Sequence, residues 1–354
     1  MNWFQRLLHR PFFIRLFNWE YWSFNTVYAP IIPIWLILCA RARSLFFFSA
    51  SNPTIMNGGF LMESKIEIYN LIPANYYPRT LYFSLPADID LVLETIREGQ
   101  FSFPMIGKPN IGARGMGVRK LYSEQDIITY CNDSALDFLV QEYIGYEKEV
   151  GIFYYRLPGE PRGRITGIVG KEFLGVTGNG QQTIRELVMQ EKRFILQLPA
   201  LEAMFGKGLE QVLAAGVKKE LVPYGNHARG AKFLDDSHLV TAALEQKIDE
   251  IAHEIKGFYY GRLDIRFKDW DSLGQGKDFS IIELNGAGSE PTHMYDPRHS
   301  VFYAWKEIIR HWILLFRVSR RNHKNGVPYM SYKDGRQMFR DNAAFEKKIE
   351  QLYV

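Results

Sequence analysis

Gly261-Arg262-Leu263-Asp264-Ile265-Arg266 and, a little further on, Ile281-Ile282-Glu283-Leu284-Asn285 are the stretches on which the fold turns. In the first, Arg262, Asp264 and Arg266 recur at every second position, while Leu263 and Ile265 fill the positions between. That alternation is the period of a half-buried β-strand. The same rule puts Glu283 and Asn285 on one face of the second stretch. If the two strands pair, Asp264, Glu283 and Asn285 converge. Two carboxylates and an amide oxygen are hard ligands, suited to magnesium held against the phosphates of a nucleotide. The same residues also suit a solvated sheet face on which Asp264 pairs with Arg262 or Arg266.

Working outward, the chain from about residue 90 alternates helix and strand. Ile89–Arg97 reads as a helix, Phe103–Lys108 as a strand and Asn110–Gly117 as a glycine-rich loop before a short strand, Val118–Leu121. Ser123 and Asp126 have the spacing of a helix start. Phe138–Ile144, Glu149–Arg156 and Arg164–Leu174 read as strands, the last running into a turn at Thr177–Gly180. Thr183 and Glu186 cap a helix through Met189 or beyond. Residues 191–235 are hard to read. Leu239–Lys256 is an amphipathic helix, with Leu244, Ile248, Ile251 and Ile255 at helical spacing. Tyr259–Phe267 and Phe279–Leu284 are strands, Val301–Val318 is a long apolar helix, and the tail to Val354 is mixed. The order implies an α+β fold in which Arg164–Leu174, Tyr259–Phe267 and Phe279–Leu284 form antiparallel pairs with helices over one face.

Three further pieces carry chemistry. Lys108 ends an apolar strand and is followed by Gly112, Gly115 and Gly117, so a point charge stands beside backbone able to approach phosphate oxygens closely. No Gly-Lys-Ser/Thr closes this loop, so it is not a Walker A sequence. Lys171, in Gly170-Lys171-Glu172, is a second lysine able to reach the same phosphates. Gln141, Glu142, Tyr143 and Ile144 end a strand whose backbone could read an adenine edge, with Glu147 or Glu149 placed for ribose hydroxyls. Each piece alone also fits an ordinary structural role.

The order of these pieces resembles the ATP-grasp superfamily of carboxylate–amine ligases, and the D-alanine–D-alanine ligase branch in particular, over roughly residues 75–300. Phe103-Pro104 to Lys108-Pro109, Gly115-Met116-Gly117-Val118, Gly261-Arg262-Leu263-Asp264 and Glu283-Leu284-Asn285-Gly286 carry the likeness. Thr177-Gly178-Asn179-Gly180 through Leu187 resembles a turn of cyanophycin-synthetase-like members. The resemblance implies an ATP-grasp fold, two α+β subdomains whose antiparallel sheets clamp ATP. It implies Lys108 and Lys171 on phosphates, the Gly112–Gly117 loop closing over them, Gln141–Ile144 at adenine and Glu147 or Glu149 at ribose. Asp264, Glu283 and Asn285 would hold Mg2+ or Mn2+. Asn226, Arg229 and Lys232 lie in the loop where such ligases place phosphate- and substrate-facing groups, and Arg262 is the candidate catalytic residue at the tetrahedral oxyanion. The reaction implied is ADP-forming carbon–nitrogen ligation through an acyl phosphate, with small-molecule or peptide carboxylate and amine substrates.

The sequence departs from that branch in two places. Glu290 stands where the D-alanine ligase has a serine-bearing loop for a substrate carboxylate, which an acid would repel. The branch's N-terminal substrate domain is replaced by about 75 aromatic, proline-interrupted residues. Arg79 is a candidate for the fold's early basic residue. Two rivals stay open: a true D-alanine–D-alanine ligase, and a non-catalytic nucleotide-binding module.

Composition sets the remaining bounds. The 354 residues carry 43 basic and 39 acidic side chains, a net +4 that gives no reason to expect a nucleic-acid partner. The two cysteines, Cys39 and Cys131, exclude a disulfide scaffold and fit a reducing, cytoplasmic setting. Residues 1–28 hold ten aromatics, three arginines (Arg6, Arg10 and Arg15) against one acid, Glu20, and do not read as a clean signal peptide. The apolar run Ala29–Ala40 is shorter than the roughly 20 residues a spanning helix needs. Residues 1–50 therefore read either as an interfacial segment at the inner face of a membrane or as a helical lid on the rest of the protein. Composition and the resemblance together imply an aromatic-rich helical region (1–75), an ATP-grasp domain (76–318) and a C-terminal tail (319–354).

Overall fold

The computed structural model describes residues 10–112, 115–222 and 230–353. By contact the chain divides into two compact units, each assembled from three stretches. The larger holds Pro33–Ile168, Asp236–Pro291 and Ile309–Val354, and the smaller Met1–Ile32, Val169–Asp235 and Thr292–Ile308.

The larger unit contains two sheets. The first has strands β1 (Thr80–Phe83), β2 (Met105–Pro109), β3 (Arg119–Leu121) and β4 (Phe138–Glu142), in the order β1-β4-β2-β3. All of its pairings are antiparallel. Helices Ile89–Glu98 and Glu124–Asp133 cover it, burying Val92, Ile96, Ile127 and Tyr130 with Met105, Phe138 and Val140. Both helices start as their sequences dictate: Asp88 and Ser123 accept first-turn N–H groups that would otherwise lack partners.

The second sheet has β5 (Lys148–Tyr155), the start of β6 (Arg164–Glu172), β10 (Tyr260–Phe267) and β11 (Phe279–Asn285), in the order β11-β10-β5-β6. β10 is antiparallel to both neighbours. Helix Ala242–Glu254 lays Leu244, Ile248 and Ile251 against Ile152, Leu263 and Ile265, as the helical spacing predicts. Two expectations change here. β10 does pair with β11, but β5 stands between β10 and β6, with six of its eight residues buried, as an interior strand requires. The tail is no loose segment: helix Val301–Lys324 runs past residue 318, and a second helix, Tyr332–Tyr353, follows.

In the smaller unit the end of β6 pairs with β9 (Lys232–Asp235), and β7 (Leu174–Thr177) pairs with β8 (Lys218–Val222), both antiparallel. The predicted strand Arg164–Leu174 is thus two strands in different sheets. A full capping box at Thr183 and Glu186 starts helix Ile184–Val188. That helix, with Leu201 and Leu209, closes a small core on Leu174 and Val222. The N-terminal aromatics belong to this packing. Trp19 stacks on Tyr295 and donates Nε1–H to the His299 carbonyl at 2.7 Å, Trp305 donates to the Val27 carbonyl, and Glu20 pairs with Arg193.

Candidate active site

β10 and β11 set the geometry. Asp264 lies directly opposite Glu283, and Arg262 opposite Asn285. Residues opposite each other in an antiparallel pair, and residues two apart on one strand, point to the same face. All four side chains therefore share one face, and a register shift follows only after Asp264. Gly261 allows this close pairing: a Cβ there would fall 2.1 Å from the Asn285 carbonyl oxygen.

Asp264 is buried and takes both arms of Arg262, Nε to Oδ1 at 2.7 Å and Nη2 to Oδ2 at 3.2 Å. Arg262 also donates to the Glu290 carbonyl at 3.4 Å. The Arg262–Asp264 pairing that the strand alternation allowed is therefore present. The pairing fixes the Asp264 carboxylate on the face it shares with Glu283.

Lys108 ends β2 with its ammonium buried, donating to the Tyr69 hydroxyl at 2.8 Å and to Gln141 Oε1 at 2.7 Å. Burial pushes its pKa down to about 8, against the opposing pull of Glu283. A second lysine, Lys65, donates to the Gly112 carbonyl at 3.4 Å. Burial lowers its pKa too, with Glu283 again the first opposing charge. Burial also pushes the Glu63 carboxyl up, and the charge of Glu283 adds to that rise. Glu283 is thus the acid whose field reaches Lys108, Lys65 and Arg262 together. Lys65, Tyr69 and Glu63 were not singled out from sequence. They sit in a stretch without motif, some forty residues before Lys108, and only the fold brings them to it.

The remaining predicted residues divide. Gly115 and Gly117 adopt positive φ, 73° and 71°, in the loop joining β2 to β3, whereas Gly112 does not. Gln141 turns its side chain to Lys108 and Thr80 rather than outward. Glu142 pairs with Arg79 at 3.3 Å, and the Tyr143 ring lies 3.6 Å from the Lys120 ammonium. The Ile144 carbonyl accepts from Arg266, which also pairs with buried Glu149 at 3.2 Å. Glu149 is therefore engaged by Arg266, and Glu147 is the exposed acid of the two. Lys171 and Lys232 lie in the smaller unit, Lys171 opposite Phe233 and Lys232 opposite Glu172 at 3.6 Å. Asn226 and Arg229 lie outside the described residues. An open cavity of about 650 Å³, lined by Thr54, Met56, Tyr329 and Met330 among others, includes none of the predicted site residues.

The donor set has the chemistry of a hard divalent site: two carboxylates and an amide oxygen on one face. Asn285 Nδ2 is buried with no hydrogen-bond partner, an orphan that an oxygen of a bound ligand would satisfy. The set depends on that amide, since no group of three His, Cys, Asp or Glu side chains is poised for a metal among the described residues.

No protein-family model matches the chain, and no curated protein matches it. Solved structures do. The chain is similar to a bifunctional glutathione synthetase from Pasteurella multocida (TM-score 0.41, 14% identity, 75% of this chain and 38% of that one). It is similar to a D-alanine–D-alanine ligase from Bacillus anthracis (TM-score 0.40, 12% identity, 74% of this chain and 69% of that one). It is also similar to the ATP-grasp ligase PsnB complexed with minimal precursor (TM-score 0.34, 16% identity, 64% of this chain and 52% of that one). The chain thus spans little more than a third of the glutathione synthetase it matches. PsnB is an ATP-grasp ligase.

Proposed function

We propose that the chain is an ATP-dependent ligase that joins a carboxylate to an amine through an acyl phosphate. The observation that carries the reading is the shared face of β10 and β11, with Asp264 opposite Glu283 and Asn285 beside them, in a unit that also buries Lys108 within the field of Glu283.

Asp264, Glu283 and Asn285 would hold Mg2+ or Mn2+, which when bound neutralises charge on the nucleotide's phosphate oxygens. Lys108 supplies a buried cation whose worth to an anion is raised by the low local dielectric. Its hydrogen bonds to Tyr69 and Gln141 hold the ammonium in one place before any ligand arrives, which is how positioned charge lowers a phosphoryl-transfer barrier. Arg262 is fixed by Asp264 and could meet negative charge developing on the acyl carbon's oxygen. Lys65 adds a second cation at the glycine loop. Lys171, Lys232, Asn226 and Arg229 are proposed for phosphate and substrate. Glu147, exposed and unlike Glu149 not held in the Arg266 pair, is the better candidate at the ribose.

An ADP-release screen with ATP, Mg2+ and a panel of amino acids and peptides tests the reading. Stimulated release by one carboxylate–amine pair is expected, and Glu283→Gln should abolish it while leaving the circular dichroism spectrum unchanged. Full turnover in that variant would remove the metal assignment.

A further inference from the structure

We infer that the outward face of helix Ile32–Ala42, together with the neighbouring face of helix Val301–Lys324, docks on an anionic lipid surface. A surface helix of a globular protein normally turns its apolar stripe inward and its polar side out. Helix Ile32–Ala42 is apolar on both sides. Inward, Leu38 and Cys39 are buried with Phe47, Leu314 and Leu315, and Trp35 packs edge-on against Trp312 at 5.1 Å. Outward, Leu36 is 54% and Ile37 58% exposed, in line with exposed Ile32 and Ala40 one turn to either side. Nothing polar interrupts that stripe until Arg41.

The second helix adds one exposed apolar side chain and a basic end. Beyond Trp312 it exposes Ile313, then Arg317 and Arg320. The Arg41 and Arg320 guanidinium groups both lie against the Phe316 ring, 5.7 and 5.9 Å from its centroid. Trp35 meets Trp312 and Arg41 meets Phe316, so side chains of the two helices border one another. Both helices end in exposed basic side chains, Arg41 in the first and Arg317 and Arg320 in the second. The smaller unit carries a similar segment of its own. In helix Pro11–Phe17, Phe12 (68%) and Phe17 (65%) are exposed beside exposed Arg10 and Arg15.

Charge selects the occupant. Between residues 10 and 45 the exposed charged side chains are Arg10, Arg15, Arg41 and Arg43, and the one acid, Glu20, is buried in its pair with Arg193. An anionic bilayer meets apolar rings, apolar aliphatic groups and flanking arginines together. The 19-residue helical run Phe24–Ala42 is long and apolar enough to cross a membrane. Crossing would strip Leu38 and Cys39 from the protein core, whereas lying flat leaves them buried and immerses only Leu36 and Ile37.

The test is co-sedimentation of the full chain with vesicles of phosphatidylcholine alone and of phosphatidylcholine mixed with phosphatidylglycerol. Binding to the mixed vesicles and little to the neutral ones is expected. Leu36→Ser with Ile37→Ser should weaken partition more than tenfold. Arg41→Gln with Arg43→Gln should weaken it roughly fivefold per arginine, the equivalent of about 1 kcal/mol each, and added salt should do the same. Thermal melting checks that each variant is folded; if the serine pair is not, the glutamine pair carries the test. Absence of binding to mixed vesicles, or unchanged binding in folded variants, overturns the inference. So does a dimer on gel filtration that the serine pair turns into a monomer, since a second copy would then cover the face.

Discussion

Replacing Lys108 with methionine separates the cost of the buried ammonium from its use. Lowering its pKa from 10.5 to about 8 corresponds to about 3 kcal/mol of destabilisation while the group is charged in both states. Between those two values the unfolded chain binds more protons than the folded one, so stability rises with pH across that window and is flat below it. For the wild type, the gain from pH 7 to pH 9.5 is roughly 2 kcal/mol from this group alone. Methionine fills a similar volume without the charge. It leaves Gln141 Oε1 without the Lys108 donor, costing about 1–3 kcal/mol, while the Tyr69 hydroxyl keeps the Ile282 carbonyl as its acceptor at 2.5 Å. The variant should therefore be as stable as the wild type at pH 7 or slightly more so. By pH 9.5 it should fall behind by roughly 2 kcal/mol relative to that starting point. Urea denaturation of both proteins at the two pH values measures the difference, and titrations that do not feel the Lys108 charge cancel; Lys65, which does feel it, is relieved in the variant. A stability difference that does not change with pH refutes the burial argument. The same variant should lose affinity for a non-hydrolysable ATP analogue, because the charge that strains the empty fold is the one an anion uses.

Asn52 is fully buried and joins distant parts of the larger unit, donating to the Gly58 and Tyr260 carbonyls at 2.9 Å each and accepting from the Tyr259 and Tyr260 N–H groups. Asn52→Ala leaves several buried backbone groups unpaired and should cost about 3 kcal/mol or more, read as a lower urea midpoint with unchanged slope. In the smaller unit, burial pushes the Asp296 carboxyl up, but the Arg298 guanidinium and the N–H groups of Asp235 and Arg298 pull it further down, to a net position well below the ordinary range. Its contribution is present above its unfolded value and lost as the pH falls below it. Asp296→Asn should therefore lower stability near neutrality and flatten the acid limb of the melting-temperature profile; a parallel limb in the variant would contradict the assignment.

What the sequence made legible was local. The Arg262-Leu263-Asp264-Ile265 alternation is a two-residue period imposed by one apolar face, and it put Asp264 and Glu283 on strands that do pair in register. Ser123, Thr183 and Glu186 announced helix starts because capping needs only the next three residues. Long-range partners were not legible. Nothing in Lys65 or Tyr69 marks them as neighbours of the glycine loop and of Lys108, since those contacts arise from chain folding across some forty positions. The place of β5 between β10 and β6 is likewise a matter of sheet order, which a run of apolar residues does not encode. Asn52 reads as a loop residue among Ser49, Ser51 and Pro53, although it is buried. The final helix, Tyr332–Tyr353, leaves little trace in the sequence because its inward stripe is sparse, with Met338 and Ile349 buried and charged residues between them.

Calorimetric titration of Mn2+ into the protein saturated with a non-hydrolysable ATP analogue, for the wild type and Glu283→Gln, bears most directly on the shared face of β10 and β11. A single site that the substitution weakens at least tenfold is predicted. Equal affinity in the two proteins, or no nucleotide-dependent site in the wild type, would contradict the account.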